Sequence, residues 1–382
     1  NLVQPAVLTI GSTTAQTVNY VSATSINFLL PPGVGLQNYI QGVFAGEDGA
    51  SSTYVNYDAP VLNSLSPWNA PTRGGSIITL TGLNFGPANA VTVTNVTVAQ
   101  NLCTNIVSVV EHLKVSCSIP AGTGSDKAVG ITVAQQSSSQ ARTFTYDSPA
   151  ATLMLPNYGS TNSTTTVTVY GANFGLEAVS QIVTIGDSSC TPTTYTSDSS
   201  LSCIASPGLG ASLTVSVQVL NLKGETKNLF SYYAPIITDA SPRNAPAATS
   251  KTVTILGSHF GIYDSTGKAR IDVSFCLSTS WISDSSLRCK SPLNVGQDKS
   301  VYLSIQGQYN VANTYFTYDL QYLTSLNPAR APTTASTAGS ITLQGVNFGP
   351  TDSSASIRFG NTKAVQQRWT SDSQVLAVPP DG

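Results

Sequence analysis

The tripeptide Asn84-Phe85-Gly86 returns as Asn173-Phe174-Gly175, His259-Phe260-Gly261 and Asn347-Phe348-Gly349, with phenylalanines 89, 86 and 88 residues apart. A second landmark keeps the same period: Tyr57-Asp58-Ala59-Pro60, Tyr146-Asp147-Ser148-Pro149, Tyr232-Tyr233-Ala234-Pro235 and the degenerate Tyr318-Asp319-Leu320. Two independent landmarks in one register make the chain an array of equivalent units. Within a unit the pattern is strand-like: Thr165 to Tyr170 alternates polar and apolar and stops at Gly171, and Leu213 to Leu220 does the same. Ser76 to Thr81, Thr252 to Leu256 and Ser340 to Gln344 match the first of these. About seven short strands between Gly, Pro, Asn and Ser turns are the grammar of an immunoglobulin-like sandwich.

Composition narrows the function classes. Apolar residues make up 41% of the 382, enough for each unit to build a core. Charged residues make up only 9%, against roughly 25% for an average soluble protein. The 17 basic residues are scattered and the net charge is −2, so the concentrated basic face that nucleic acid requires is absent. An anionic membrane surface is disfavoured for the same reason, and no stretch approaches 18 uninterrupted apolar residues. The first residues are Asn1-Leu2-Val3 and Met154 is the sole methionine. We therefore expect a processed product or a piece of something longer, with a signal peptide, an anchor or further repeats beyond it.

A strand, then Gly-x-Asn-Phe-Gly, then two cysteines of which the second precedes a proline, resembles the IPT/TIG domain. Gly171-Ala172-Asn173-Phe174-Gly175 with Cys203 and Pro207, and Gly345-Val346-Asn347-Phe348-Gly349, carry the resemblance. It implies an all-β tandem array of immunoglobulin-like E-set sandwiches, of a kind found in receptor ectodomains, adhesion proteins, bacterial surface proteins, starch-active enzymes and some transcription factors. Such a fold specifies no single function.

Three complete units are expected, 60–148, 149–234 and 235–319. Residues 1–59 match only the later part of a unit and lack its opening strands and the Asn-Phe-Gly turn; residues 320–382 lack the two closing strands. Incomplete sandwiches expose core and strand edges. Either the chain is a window on a longer array, or neighbouring molecules donate the missing strands.

The six cysteines fall as Cys103/Cys117, Cys190/Cys203 and Cys276/Cys289, one pair per complete unit. The equivalent places in the end units are Ala15 and Phe28, then Ala364 and Ala377, so both members of the pair are lost together. With His112 and His259 the only histidines, a disulfide in each unit is expected rather than a metal site. Disulfides imply an oxidising compartment, extracellular or a secretory lumen, and exclude the nuclear branch of the family. Asn95-Val96-Thr97 and Asn162-Ser163-Thr164 are N-glycosylation sequons. The runs Ala331–Thr337 and Ser137–Ser139 would suit O-glycans, and glycans would keep so weakly charged a β surface soluble.

Each recurring residue has a structural role to propose before a chemical one. The phenylalanine of the turn plugs one end of the sandwich and its glycine takes a conformation barred to other residues; His259 in place of asparagine is a turn variant. An aromatic column five residues after the first cysteine position (Tyr195 and Trp281, with Tyr20 and Trp369 in the end units, broken at Ser108) would pack against the disulfide more simply than it would form a carbohydrate face. Asp198, Asp284 and Asp372 recur in Ser-Asp-Ser turns, where a short acceptor bonds its own backbone. Asp58, Asp147 and Asp319 close units, but one acid per junction is too few for calcium. Trp68 and Arg243, in matching Ser-Pro-x-Asn-Ala-Pro segments, are the expected contact surface. No nucleophile, base or phosphate-binding motif clusters, so we expect neither catalysis nor a cofactor.

Linkers are absent: Tyr-Asp-x-Pro runs straight into the next opening strand, so neighbours should be stiffly coupled. The expected function is a non-enzymatic extracellular structural or adhesive rod that binds copies of itself into a filament or surface fibre. The alternatives are a cell-surface recognition ectodomain with a protein ligand, and accessory domains of a secreted glycan-active enzyme.

Overall fold

A computed structural model describes residues 7–44, 46–87, 93–138, 142–330 and 339–380. No helix occurs among them. The 331–337 run and Ser139, both in the expected O-glycan stretches, lie outside the described residues.

The unit beginning at 149 shows how the pattern becomes a sandwich. Alternation through Thr165–Ala172 turns Val167 and Val169 inward, at 1% and 0% exposure. This strand pairs with Ala150–Leu155 on one side and Ser200–Ala205 on the other, and Thr193–Ser197 completes a four-stranded antiparallel sheet. Tyr158–Gly159 then crosses to the second sheet, where it pairs parallel with Leu222–Tyr232. Leu213–Val219, Gln181–Ile185 and Ser188–Cys190 follow in that sheet. Val183, Val215 and Val217 close on Val167, Val169 and Leu201, one core between two sheets.

The units around it repeat the arrangement. In one, strands 61–66, 77–83, 114–118 and 104–110 face a sheet built from 69–70, 142–146, 127–133, 93–98 and 101–102. In the other, 236–241, 252–258, 286–290 and 278–283 face 244–245, 308–318, 299–305, 268–271 and 274–275.

The end segments differ from these three units. Residues 7–55 form one four-stranded sheet and a separate hairpin, Val18–Ser22 with Ser25–Phe28. Residues 322–378 form one four-stranded sheet and a hairpin of Arg358–Phe359 with Thr362–Lys363. Leu323, paired in register with Gly345, is 53% exposed. Its counterpart Leu62, paired with Gly82 beneath a second sheet, is fully buried.

Two of the three cysteine pairs are disulfides: Cys190–Cys203 and Cys276–Cys289, each with Cα atoms 5.5 Å apart and 13 residues of separation. Each joins the two sheets and closes a loop, a constraint worth on the order of 3 kcal/mol. The expected Cys103–Cys117 bond is corrected: both thiols are free and buried. This pair is one residue further apart in sequence, and the strand register shifts between Thr104↔Ser118 and Val107↔Ser116 to take up the extra residue, with Asn105 at φ 52°. The two side chains stay in contact; the hydrogen bond to Cys103, together with burial, pushes the Cys117 thiol up.

Candidate inter-repeat docking site

The Gly-x-Asn-Phe-Gly turn is built from two steric requirements. A Cβ on Gly171 would stand 2.0 Å from the Ala150 carbonyl oxygen and 2.6 Å from the Phe174 ring, so only glycine lets the strands and the ring close. The ring fills the end of the core: Phe85, Phe174 and Phe260 are at most 1% exposed. Asn173 turns the chain with φ 62°, and its Nδ2 donates to the Ser148 carbonyl at 3.3 Å, tying the turn to the residue that immediately precedes its own unit. Asn84 and Asn347 do the same to Ala59 and Leu320. His259 takes the same left-handed conformation, φ 65°, with Nδ1 3.2 Å from the Ala234 carbonyl, which explains why histidine is tolerated there.

The recurring aspartates and aromatics lock this turn from the other side. Asp198 Oδ1 accepts from Gly175 N at 2.9 Å, and Asp284 and Asp372 accept from Gly261 N and Gly349 N at 2.8 Å. The expectation that these carboxylates bond their own turns is corrected: Ser197, Ser283 and Ser371 hydroxyls accept the local backbone bonds, leaving the acids free to reach across 23 residues. Tyr195 Oη donates to the Gly175 carbonyl at 2.9 Å and Trp281 Nε1 to that of Gly261 at 3.1 Å. Tyr195 and Trp281 therefore clamp the turn in their units, whereas Trp369 Nε1 is buried without a partner. Tyr20, in the segment without such a turn, is 62% exposed.

The unit at 60–148, where the aromatic column is broken at Ser108, departs from this pattern. His112 stands where the others have aspartate: Phe85 N donates to its carbonyl at 3.2 Å, and its own N–H donates to the Gly86 carbonyl at 2.8 Å. Ser108, in the aromatic place opposite Val115, leaves its Oγ buried without a partner, as is His112 Nε2.

The locked turn is also where the preceding unit docks. Thr72, 1% exposed, donates from Oγ1 to Asp198 Oδ1 at 2.6 Å and from N to Asn173 Oδ1 at 3.2 Å. At the next junction Thr161 Oγ1 donates to Asp284 Oδ1 at 2.7 Å and Asn162 Nδ2 to Asp284 Oδ2 at 2.8 Å. Ala247 holds the matching place at the third and offers only its N–H, 3.4 Å from Asn347 Oδ1. Packing accompanies these bonds. Leu209 is part of the core cluster of the following unit, and a Cβ on Gly261 would come 2.6 Å from it. Gln136 and Gln308 donate back to the Tyr57 and Tyr232 carbonyls of the preceding units at 3.0 and 2.9 Å. One carboxylate thus serves two units, and hydrogen bonds to a charged group are the stronger kind.

Trp68 is 65% exposed. Arg243 is exposed too and pairs with Asp239 at 2.8 Å. The carbonyls of both accept from Thr145 N and Thr317 N, confirming that they are equivalent positions, and each lies just before the segment that docks. Asp147 and Asp319 accept from Asn69 and Asn244 of their own units. Asn95 is half-buried in a strand, opposite Thr132, and Asn162 is exposed in a loop. Among the described residues no cluster of three His, Cys, Asp or Glu is placed to hold a metal, and no helix is long and apolar enough to cross a membrane.

One recurring bond is invisible as such in the sequence. The tyrosine closing each unit donates its hydroxyl to a carbonyl 26 residues upstream: Tyr57 to Pro31, Tyr146 to Pro120, Tyr232 to Ser206 and Tyr318 to Pro292, at 2.8–2.9 Å. Burial above all, with lesser contributions from Cys103 and Asp272 respectively, pushes the Tyr146 and Tyr318 phenols up to about 12.

Fold and docking site together define an array of immunoglobulin-like sandwiches stacked through a shared turn. The chain belongs to the IPT/TIG family, whose domain matches at 60–146, 149–232, 235–318 and 322–382. It is similar to mouse Fibrocystin-L, at 28% identity over 355 residues covering 90% of this chain, and to the human protein at 28% over 341 residues covering 87%. The chain spans 8% of the length of these relatives. Among solved structures it resembles the Plexin A4 extracellular region (18% identity, 87% of this chain and 30% of that one, TM-score 0.24). It also resembles the surface glycan-binding protein PbSGBP-B of Prevotella bryantii (16% identity, 44% and 42%, TM-score 0.33). Neither score bears on function.

Proposed function

We propose that the chain is a non-enzymatic extracellular segment whose stacked sandwiches form a stiff rod, holding recognition or self-association surfaces at fixed spacing. The observation that carries this reading is the shared carboxylate: Asp198 and Asp284 each lock a turn in their own unit and accept a threonine of the unit before. A flexible tether would have no use for a partly buried, charge-assisted bond at its joint. The two disulfides support an oxidising environment. The charged fraction of 9% supports association of the rod with copies of itself, since weakly charged β surfaces lack electrostatic protection against edge contacts. Negative-stain microscopy and multi-angle scattering of the secreted chain test both parts; short isolated monomers that bend freely would count against them.

A recognition ectodomain with a different protein as ligand is the second reading. Exposed Trp68 and Arg243 favour it, being residue types that anchor protein interfaces. Paired Trp68→Ala and Arg243→Ala variants that leave self-association intact but abolish cell binding would select it.

A further inference from the structure

The junction between the 149–234 and 235–319 units is built differently from its neighbours. At the other two, an asparagine and a unit-closing aspartate form a polar staple, Asn69 with Asp147 and Asn244 with Asp319. Here Tyr158 and Tyr233 take those two places, and His259 takes that of Asn173 and Asn347. The three rings form a ladder. Tyr158 and Tyr233 stack at 6.2 Å with planes 6° apart, and Tyr233 and His259 at 5.2 Å and 28°. The tyrosines remain 50% and 47% exposed, so an aromatic strip of tens of square ångströms faces solvent where the other junctions present amide and carboxylate.

The same junction is the one that carries a sequon. Asn162, four residues after Tyr158, is exposed and bonds Asp284, whose carbonyl accepts from Phe260 beside His259. The residue after Thr72 is Arg73 and that after Ala247 is Ala248, so the equivalent places elsewhere accept no N-glycan.

We propose that Asn162 carries an N-linked glycan whose first N-acetylhexosamine residues lie across the junction on the Tyr158–Tyr233–His259 ladder. Attachment uses a lipid-linked pyrophosphate sugar donor in the secretory lumen. The Nδ2–C1 bond forms, the C1–O bond to pyrophosphate breaks, the lipid pyrophosphate leaves and one amide proton passes to the transferase base. The second N–H remains on Nδ2, so the bond to Asp284 is compatible with the sugar. The chemistry of the strip suits this occupant: the apolar C–H face of a pyranose packs on aromatic rings, while the phenol hydroxyls at its edge meet sugar hydroxyls.

This rests on the extracellular reading, and the test separates the two. The full chain is secreted from a eukaryotic host and its peptides are analysed by mass spectrometry, beside Thr164→Ala, which removes the sequon and leaves Asn162 and Asp284 in place. The Cys190–Cys203 and Cys276–Cys289 bonds, read in the same spectra, report the oxidising compartment independently of any sugar. Expected are occupancy at Asn162 and nitration of Tyr158 and Tyr233 by tetranitromethane several-fold slower in the glycosylated chain than in Thr164→Ala, with Tyr309 (76% exposed) unchanged. An unmodified Asn162 in disulfide-bonded chain would overturn the proposal. Equal nitration of the two tyrosines in both proteins would also overturn it.

Discussion

Thr72 and Asp198 belong to different repeats, yet the threonine hydroxyl lies 2.6 Å from the carboxylate that also holds Gly175 N. The residue that shapes one unit's turn is thereby the receptor for its neighbour, and folding of a unit and stacking of the array use the same group. Thr72→Ala should leave the Asp198–Gly175 bond and the fold of each unit intact while removing the shared bond. A hydrogen bond to a charged group is worth about 1.5–3 kcal/mol, so spin labels on the units flanking that junction should report a clearly broader distance distribution. The third junction, with Ala247 in the threonine's place, should already be the broadest in the native chain.

Removing the carboxylate strikes both roles. Asp284→Ala deletes the acceptor of Thr161, Asn162 and Gly261 N at once. Thermal unfolding of its unit is expected to fall by several degrees, since about 1 kcal/mol shifts the midpoint of a domain this size by roughly 4–8 °C. His259→Asn, by contrast, should be nearly neutral for the turn, because asparagine makes the equivalent carbonyl bond at Asn173 and Asn347.

Phe174→Ala empties the plug of one sandwich. The ring is fully buried against Gly171, and loss of a buried phenylalanine costs about 3–5 kcal/mol. Chemical denaturation should show that unit melting ahead of its neighbours, and a simultaneous loss in all units would mean that the junctions, not the cores, limit stability.

The four tyrosine hydroxyl bonds give the array an alkaline limit. Tyr146 and Tyr318 are held near 12 in the folded chain against an ordinary value of 10.0. A group raised on folding contributes stability that is complete below its unfolded value and is lost as pH rises through its folded value. Stability should therefore hold to about pH 10 and fall between pH 10 and 12 as the phenolate, unable to donate, is favoured in the unfolded chain. Tyr318→Phe should lose the bond to Pro292 and flatten that part of the pH profile, followed by circular dichroism.

How much of this could be read from the residues depends on range. Alternation at Thr165–Tyr170 and the recurring Asn-Phe-Gly turn declare strands, sheets and period, because those signals are local. The disulfides at Cys190–Cys203 and Cys276–Cys289 were also legible, for each pair sits 13 residues apart. What escaped is non-local. Asp198 recurs visibly, but nothing in Ser197-Asp198-Ser199 says that its partner is Gly175, or that Thr72 arrives from 126 residues away. The closing tyrosines mark the period in the sequence, but nothing near them signals a hydrogen bond to a carbonyl 26 residues back. At Cys103 and Cys117 one inserted residue shifts the strand register. Spacing carries that signal as a small irregularity, and its consequence appears only in three dimensions.

The central claim, a rod whose units are fixed by shared turns, is tested most directly by the distance distribution between spin labels on the 60–148 and 235–319 units of the intact chain. Coupling through Asp198 and Asp284 predicts a single narrow distance that broadens in Thr72→Ala and Thr161→Ala. A distribution already broad in the native chain, and unchanged by those substitutions, would contradict it.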